Sequence, residues 1–365
     1  MEKSSKSELC IVTSRNIFDA PCLAKYCSLI DEPFDIIYWD KCGITEDCGA
    51  ENYFRHEGIV ATNASKKQKI LKYYGFFKYV NKILKQNDYK KLIIFPTQVS
   101  WLILGKLKGR DKNRYLLDIR DYAGENKFII RKLTAKAVKN ARLCSITSDA
   151  YKAFLPKGID YLVSHNVQEI DKGLVELYRN RTKKNVSSGD RIVLSFIGTV
   201  RFIDNLKELI KRFSGDNRFL LRFIGRGSDE LKSFVEENGY DNVELVGQFE
   251  RSELAKFYFD TDIAINLYGN ANPYLDYALS NKLYSAAIMG MPILVSPKTY
   301  MAKVSEKYGF GYAADVLDEK LADRVFAYYE GLSLEELHQN CDAFMEEVKK
   351  DEKKYAYALT EFLKY

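Results

Sequence analysis

Among the residues whose types and spacing could do chemistry, the clearest group is suited to holding an anion. Arg191-Ile-Val-Leu-Ser-Phe-Ile-Gly198 reads as a strand ending in a glycine turn, and Arg201 follows three residues later. Glycine lets the backbone approach a ligand closely, and a helix N-terminus offers free N–H groups to an anion. The Arg201 guanidinium adds a forked cation for a phosphate. The next apolar run repeats the device in Phe219 to Gly225-Arg-Gly227. The third glycine of a dinucleotide fingerprint is missing, which argues against a nicotinamide-dependent enzyme. The plainer alternative is that each glycine only makes a tight turn. A second group, Asp118-Ile-Arg120-Asp121, closes an apolar run that starts at Tyr115. Open α/β sheets bind ligands outside the carboxyl ends of their strands, so its position suits function. A self-contained salt-bridge cluster is the alternative. Cysteines at 10, 22, 27, 42, 48, 144 and 341 are odd in number. Their spacing around His56 matches no common zinc framework, so reduced thiols are expected rather than a disulfide scaffold or a metal site.

These groups must be positioned by the elements between them. Short apolar, β-branched runs recur with helical patterns in between. In the first half they begin at Leu9, Phe34, Lys91, Tyr115, Leu143 and Tyr161; in the second half, at Ile192, Leu220, Val243, Ile263 and Ile293. Such alternation predicts parallel sheets covered on both faces, and two sets predict two doubly wound α/β domains. The polar stretch 181–190 reads as a linker between a domain at 1–180 and one at 191–332. Residues 333–365 read as a long helix, with Ser333 as N-cap and Glu336 reaching back in a capping box. Leu334, Leu337, Cys341, Phe344, Met345 and Val348 follow at helical spacing.

The chain has 365 residues, is 46% hydrophobic and carries a formal charge of +6. This composition fits a globular protein and excludes a disordered or fibrous one. The charge is unevenly spread. Residues 1–184 hold 34 Lys and Arg against 21 Asp and Glu, whereas 185–365 hold 22 against 29. Residues 66–142 hold 21 basic and 5 acidic side chains. Within them, a predicted helix places Ile70, Tyr73, Tyr74, Phe77 and Leu84 on one side. Lys72, Lys78, Lys82 and Lys85 fall largely on another, and Lys106, Lys108, Arg110, Lys112 and Arg114 follow. Basic amphipathic helices with aromatic residues settle on anionic membranes, and several lysines suffice for reversible attachment. An ordinary core-packing helix with a solvated lysine face is the alternative. Nucleic acid is not expected, because no binding motif is recognisable and the second half is acidic. No signal-peptide pattern opens the chain, and the longest apolar candidate, Leu92 to Leu104, is too short to span a bilayer. A cytoplasmic location is expected.

The second half carries a family resemblance. Asp262-Ile-Ala-Ile-Asn-Leu-Tyr268 and Ala278-Leu-Ser-Asn-Lys-Leu-Tyr-Ser-Ala-Ala-Ile-Met-Gly-Met-Pro-Ile-Leu-Val-Ser296 resemble the nucleotide-sugar-binding segment of group 1, or family 4, glycosyltransferases. Phe196-Ile-Gly-Thr199, Asn242 to Phe249 with Leu254 to Tyr258, Ala141 to Ser148, and Tyr161 to Val167 resemble further passages of that family. The resemblance implies a GT-B architecture: two Rossmann-like domains facing a central cleft, with a final helix crossing back to the first. It implies a nucleotide sugar on the second domain and an acceptor on the first, without a metal or other cofactor. Gly198, Thr199, Arg201, Ser280, Asn281, Lys282 and Ser285 then become the nucleotide-sugar positions. Arg201 and Lys282 would neutralise the diphosphate with help from helix N-termini. Taken alone, Lys282 could equally be a solvated helix charge.

One departure matters. The family usually has a glutamate at the position of Ser285, expected to hold ribose hydroxyls. Ser285 offers a weaker bond, and Asp276 could substitute from the preceding loop. The resemblance places Asp121 to take the acceptor's proton, with Arg120 pairing with it or holding an acceptor phosphate. His165 lies on a loop and is expected to make a structural hydrogen bond. The expected function is a metal-independent hexosyl or related transferase, moving a sugar from a nucleoside-diphosphate sugar to a polyprenyl-linked saccharide. It would work in capsule or other surface-polysaccharide synthesis, peripherally bound to the inner face of the cell membrane. The alternatives are a non-catalytic GT-B partner subunit, suggested by Ser285, and a GT-B sugar-nucleotide epimerase.

Overall fold

The computed structural model describes residues 7–59, 65–107 and 112–364. Lys108 and Arg110 of the basic stretch lie outside them. The chain forms two compact units: unit 1, Met1–His165 with Lys350–Tyr365, and unit 2, Asn166–Lys349.

Unit 1 contains β1 (Leu9–Thr13), α1 (Cys22–Cys27), β2 (Phe34–Asp40), β3 (Asn52–Glu57) and α2 (Lys66–Gln86). It continues with β4 (Lys91–Phe95), α3 (Thr97–Leu102), β5 (Tyr115–Ile119), α4 (Phe128–Asn140), β6 (Leu143–Ile146) and β7 (Tyr161–Val163). The strands form one parallel sheet in the order β3-β2-β1-β4-β5-β6-β7. Its inner strands are mostly apolar because both faces are covered, and every residue of β1, β2, β4 and β5 is buried. β3 went unpredicted because Asn-Tyr-Phe-Arg-His-Glu lies at the sheet's edge, where only Phe54 is buried. α2 starts with a capping box between Ser65 and Gln68. It packs through Phe76, Val80 and Ile83, with Phe76 stacked on Trp39 at 5.4 Å. Ile70, Tyr73 and Tyr74, expected on the apolar side, are exposed instead. The packed face is turned about one residue from the expected one, because Trp39 and His56 of β2 and β3 receive it.

Unit 2 contains α5 (Lys172–Arg179), β8 (Ile192–Ile197), α6 (Ile203–Phe213), β9 (Phe219–Ile224), α7 (Lys232–Glu237), β10 (Val243–Val246) and α8 (Leu254–Phe259). After these come β11 (Ile263–Asn266), α9 (Pro273–Asp276), α10 (Asn281–Met289), β12 (Ile293–Val295), α11 (Tyr300–Lys307), β13 (Gly311–Ala313) and α12 (Leu321–Gly331). The sheet order is β10-β9-β8-β11-β12-β13, all parallel. Two apolar clusters cover its faces. One is built from α6 and α12 residues such as Leu209, Phe213 and Val325, the other from α8 and α10 residues such as Tyr258, Leu283 and Tyr284. α5, placed above on the N-terminal side of the linker, packs within unit 2: Tyr178 is buried and its hydroxyl donates to Thr261 O at 2.9 Å.

The last helix, α13 (Leu334–Lys364), starts where Ser333 Oγ accepts from Glu336 N. Leu337, Cys341, Phe344 and Val348 join a unit 2 cluster, while Tyr355, Leu359 and Phe362 join the unit 1 core. All seven cysteines are free. No helix among the described residues is long and apolar enough to cross a membrane.

Candidate functional site

In the second sheet, strand order reverses direction between β8 and β11. Crossovers leave that switch point in opposite directions, opening a crevice at the strands' carboxyl ends. Gly198 follows β8 and Tyr268 follows β11, so both stand at this crevice. Gly198 has φ +123°, and Gly225 at the end of β9 has φ +132°. The two turns interlock. Gly198 N donates to Ile224 O at 2.8 Å, and a Cβ on Gly225 would lie 2.1 Å from Gly198 O. Backbone packing by itself therefore requires glycine at 225. A Cβ on Gly198 would instead meet the Lys282 ammonium at 3.7 Å.

Lys282 comes from the first turn of α10. Ser280 caps that helix, its Oγ accepting from Lys282 N at 3.3 Å. The Lys282 side chain is buried, with 7% of the residue exposed. Its ammonium donates to Tyr268 Oη at 2.8 Å and lies 4.3 Å from the centroid of the Phe196 ring. Arg201 is exposed, with its guanidinium 6.0 Å from the Tyr268 ring centroid. Burial raises the Tyr268 phenol, but Lys282 and Arg201 outweigh it and leave it below the ordinary tyrosine value. Among the described residues neither cation has a carboxylate within ion-pair distance. Phe202, at φ +59°, precedes α6 in a left-handed conformation costly for a non-glycine residue. Its ring packs on Tyr268 at 5.2 Å.

The structure thus brings Gly198, Arg201 and Lys282 together around Tyr268. Thr199 and Asn281 are half-buried beside them in sequence, on the glycine turn and at the head of α10. Tyr268 closes the quoted motif segment without being singled out as a site residue, and no motif marks Phe202; the available signal was an aromatic two residues beyond a strand at a switch point. Ser285 lies deeper in α10, 1% exposed beside the Tyr258 phenol, and its Oγ makes no hydrogen bond of ordinary geometry. Asn266 Oδ1 and Asp276 Oδ1 are also buried without a partner. Each such orphan costs about 1–3 kcal/mol unless something else satisfies it.

The acidic group of unit 1 is arranged differently. Asp118 is fully buried and accepts from Ser145 Oγ at 2.8 Å, from the Tyr26 hydroxyl and from Arg120 Nη1 at 2.9 Å. Burial lowers the Arg120 guanidinium, but Asp118 outweighs it and holds it above its ordinary value. Asp121 is exposed and paired with Arg15 at 2.7 Å. His165 donates its backbone N–H to Glu352 Oε1 at 2.6 Å, and its Nε2 lies 3.3 Å from Asp351. Lys72, Lys78, Lys82 and Lys85 are all exposed on α2. Among the described residues no cluster of three or more His, Cys, Asp or Glu is placed to hold a metal ion.

No protein-family profile matches the chain, and no curated protein sequence matches it. Solved structures do. Sucrose-phosphate synthase from Thermosynechococcus elongatus superposes with a TM-score of 0.66 at 10% identity, over 96% of this chain and 100% of that one. HepE from Anabaena, solved with UDP, gives 0.67 at 9% identity over 97% and 100%. WaaG, a glycosyltransferase involved in lipopolysaccharide biosynthesis, gives 0.60 at 13% identity over 92% and 95%. At these identities the likeness establishes the fold: two parallel-sheet α/β units of the GT-B class.

Proposed function

We propose that the chain is a glycosyltransferase that takes its sugar from a nucleoside-diphosphate sugar bound by unit 2. The observation that carries this reading is the meeting of two cations, Arg201 and Lys282, on Tyr268 beside a glycine turn, with no carboxylate among the described residues within ion-pair distance to balance them. A diphosphate supplies the missing charge, and the N-terminus of α10 adds oriented N–H groups. HepE, which shares the fold, has been solved with UDP, with UDP and glucose, and with UDP-glucose.

In this reading the bond between the anomeric carbon and the diphosphate oxygen breaks, and the diphosphate leaves with the bonding electrons. The acceptor oxygen bonds to the anomeric carbon. The acceptor's proton passes to Asp121, with Arg120 as its neighbour in sequence. Arg201 and Lys282 stabilise the departing charge, so the scheme invokes neither metal nor cofactor. The acceptor is a polyprenyl-linked or similar saccharide of surface-polysaccharide synthesis, met at the inner face of the membrane by the basic unit 1. The second reading, a non-catalytic binding subunit, is favoured by Ser285, whose hydroxyl stands unpartnered at the family's glutamate position.

Calorimetric titration with nucleoside diphosphates tests the proposal. At least one is expected to bind, and Lys282→Ala is expected to weaken it about tenfold to a hundredfold, the range of one charge-assisted contact. Failure of every nucleoside diphosphate to bind would remove the donor reading. Binding without hydrolysis or transfer from any matching nucleotide sugar would select the partner-subunit reading.

A further inference from the structure

The large apolar side chains that unit 1 leaves in solvent are not scattered. Ile59 is 66% exposed, Ile70 67%, Leu71 68%, Phe128 59% and Ile129 71%. Ile59 follows the carboxyl end of β3, Ile70 and Leu71 lie in the second turn of α2, and Phe128 and Ile129 open α4. All therefore belong to the carboxyl edge of the seven-stranded sheet. Among the described residues of unit 1, Phe18 in the β1–α1 connection (55% exposed) and Ile44 in the β2–β3 connection (49%) are exposed outside these groups, and Tyr357 of α13 is exposed away from that edge.

Topology also puts them on one face. The right-handed crossover rule sends α1 to one side of the sheet, because β1 to β2 runs leftward in the strand order. β3 to β4 and β5 to β6 run rightward, so α2 and α4 share the other side. Their N-termini stand at strands four ladder spacings apart, about 19 Å.

Each apolar group carries its own cations. Lys72 Nζ donates to Ile59 O, tying the β3 loop to α2. Lys78 lies 4.7 Å over the Tyr74 ring, and Lys132 lies 4.2 Å over Phe128. Lys67, Lys127 and Arg131 are exposed nearby in sequence. Of the acids of the same edge, Asp121 pairs with Arg15, and Glu57 lies 3.7 Å from Arg55. An apolar tip ringed by uncompensated cations is complementary to an anionic bilayer, whose headgroups meet the charges and whose acyl boundary takes the tip. A protein partner gives no comparable reason for cations stacked on the apolar residues.

We propose that this edge of unit 1 docks on an anionic membrane surface in two places, the first turns of α2 with Ile59 and the first turn of α4. The proposal rests on the reading above only for the lipid-linked acceptor; the surface itself is argued from unit 1. It differs from attachment by a lysine stripe running the length of α2. Lys82 and Lys85 sit near the far end of that helix, and Leu71 is about 21 Å from Lys85 along its axis.

Vesicle co-sedimentation of the full chain decides between these. The wild type is expected to bind mixed phosphatidylglycerol–phosphatidylcholine vesicles, and pure phosphatidylcholine far more weakly. Ile70→Glu with Leu71→Glu is expected to lower binding about tenfold or more, since each side chain forfeits its insertion. Phe128→Glu with Ile129→Glu is expected to do the same, and Lys82→Glu with Lys85→Glu to do little. These side chains are exposed, so the unfolding midpoint should not move. Leu71→Trp supplies a second readout: its emission shifts to the blue on anionic vesicles and is quenched by bromine-labelled lipid. Unchanged vesicle binding by both edge variants, an unshifted Leu71→Trp emission, or a larger loss from the Lys82 and Lys85 pair would each overturn the proposal. So would a wild type that ignores vesicles but self-associates through Leu71. Nucleoside diphosphate binding by unit 2 is read separately, so either proposal can fail alone.

Discussion

Two charged regions sit at comparable places in the two units, each beyond the carboxyl end of central strands, and they are built on opposite plans. In unit 1 the charges are balanced, whether buried or exposed. Asp118 accepts three hydrogen bonds, one from Arg120, and Asp121 faces Arg15. In unit 2 the charges are unbalanced. Lys282 is buried against the rings of Phe196 and Tyr268 and donates to the Tyr268 hydroxyl, and Arg201 reaches the same Tyr268. A balanced buried cluster holds elements together; an unbalanced one costs free energy until an anion arrives. The contrast supports the proposal that unit 2 binds the donor, and Asp121 is the exposed member of unit 1's group.

Stability should expose this contrast most strongly. Arg120→Met leaves Asp118 buried without its cation and is expected to cost about 3–5 kcal/mol in urea unfolding, softened by the Tyr26 and Ser145 bonds. Lys282→Met removes a buried cation that has no counter-charge, and is expected to leave stability within about 1 kcal/mol or raise it. Equal losses in the two variants would mean that Lys282 belongs to the architecture after all.

The parts of the fold legible in the amino-acid sequence were those under the strongest burial. The central strands β1, β2, β4, β5, β8 and β9 are near-continuous apolar runs because both sheet faces are covered. The edge strands β3 and β13 escaped notice, one polar and the other three residues long, because an edge relaxes the demand for apolar residues. At the site, Gly198, Arg201 and Lys282 were legible from the turn and the motif. Tyr268 was not, since the phenol's role arises only when β11 is laid beside β8. For Gly225 the tight-turn alternative fits the structure: its lack of a side chain makes room for the Gly198 carbonyl. The sequence also offered a salt-bridge cluster at 118–121 as one of two readings; Asp118 and Arg120 follow it, while Asp121 turns outward to Arg15.

Asp121→Asn sharpens the comparison from the unit 1 side. The Asp121–Arg15 pair is solvent-exposed, so its loss should cost no more than about 1 kcal/mol. If Asp121 takes the acceptor's proton, the transfer rate should fall about a hundredfold or more while nucleoside diphosphate affinity holds. A rate within a few-fold of wild type would return Asp121 to the status of an ordinary surface ion pair.

The smallest effect, and the most specific to the unbalanced cluster, belongs to the Tyr268 phenol. Burial raises its proton affinity, but Lys282 and Arg201 outweigh burial and lower it below the ordinary tyrosine value. The unfolded chain keeps this proton to higher pH than the folded one does. The linked stability therefore rises with pH between the lowered value and the ordinary value of about 10, and is lost again as pH falls through the lowered value. Binding runs the other way. Above the lowered value the phenolate neutralises the same cations that a diphosphate needs, so wild-type affinity should decline on the alkaline side before ordinary tyrosines titrate. Tyr268→Phe cannot form the phenolate. At neutral pH it is expected to lose only a few-fold in affinity, about 1 kcal/mol for one hydrogen bond, yet to keep binding into more alkaline solution. Calorimetric titration across that range compares the two proteins directly. Identical alkaline limbs would show that the phenol does not share the cations with the ligand, and the cluster would have to be read as Lys282 and Arg201 alone.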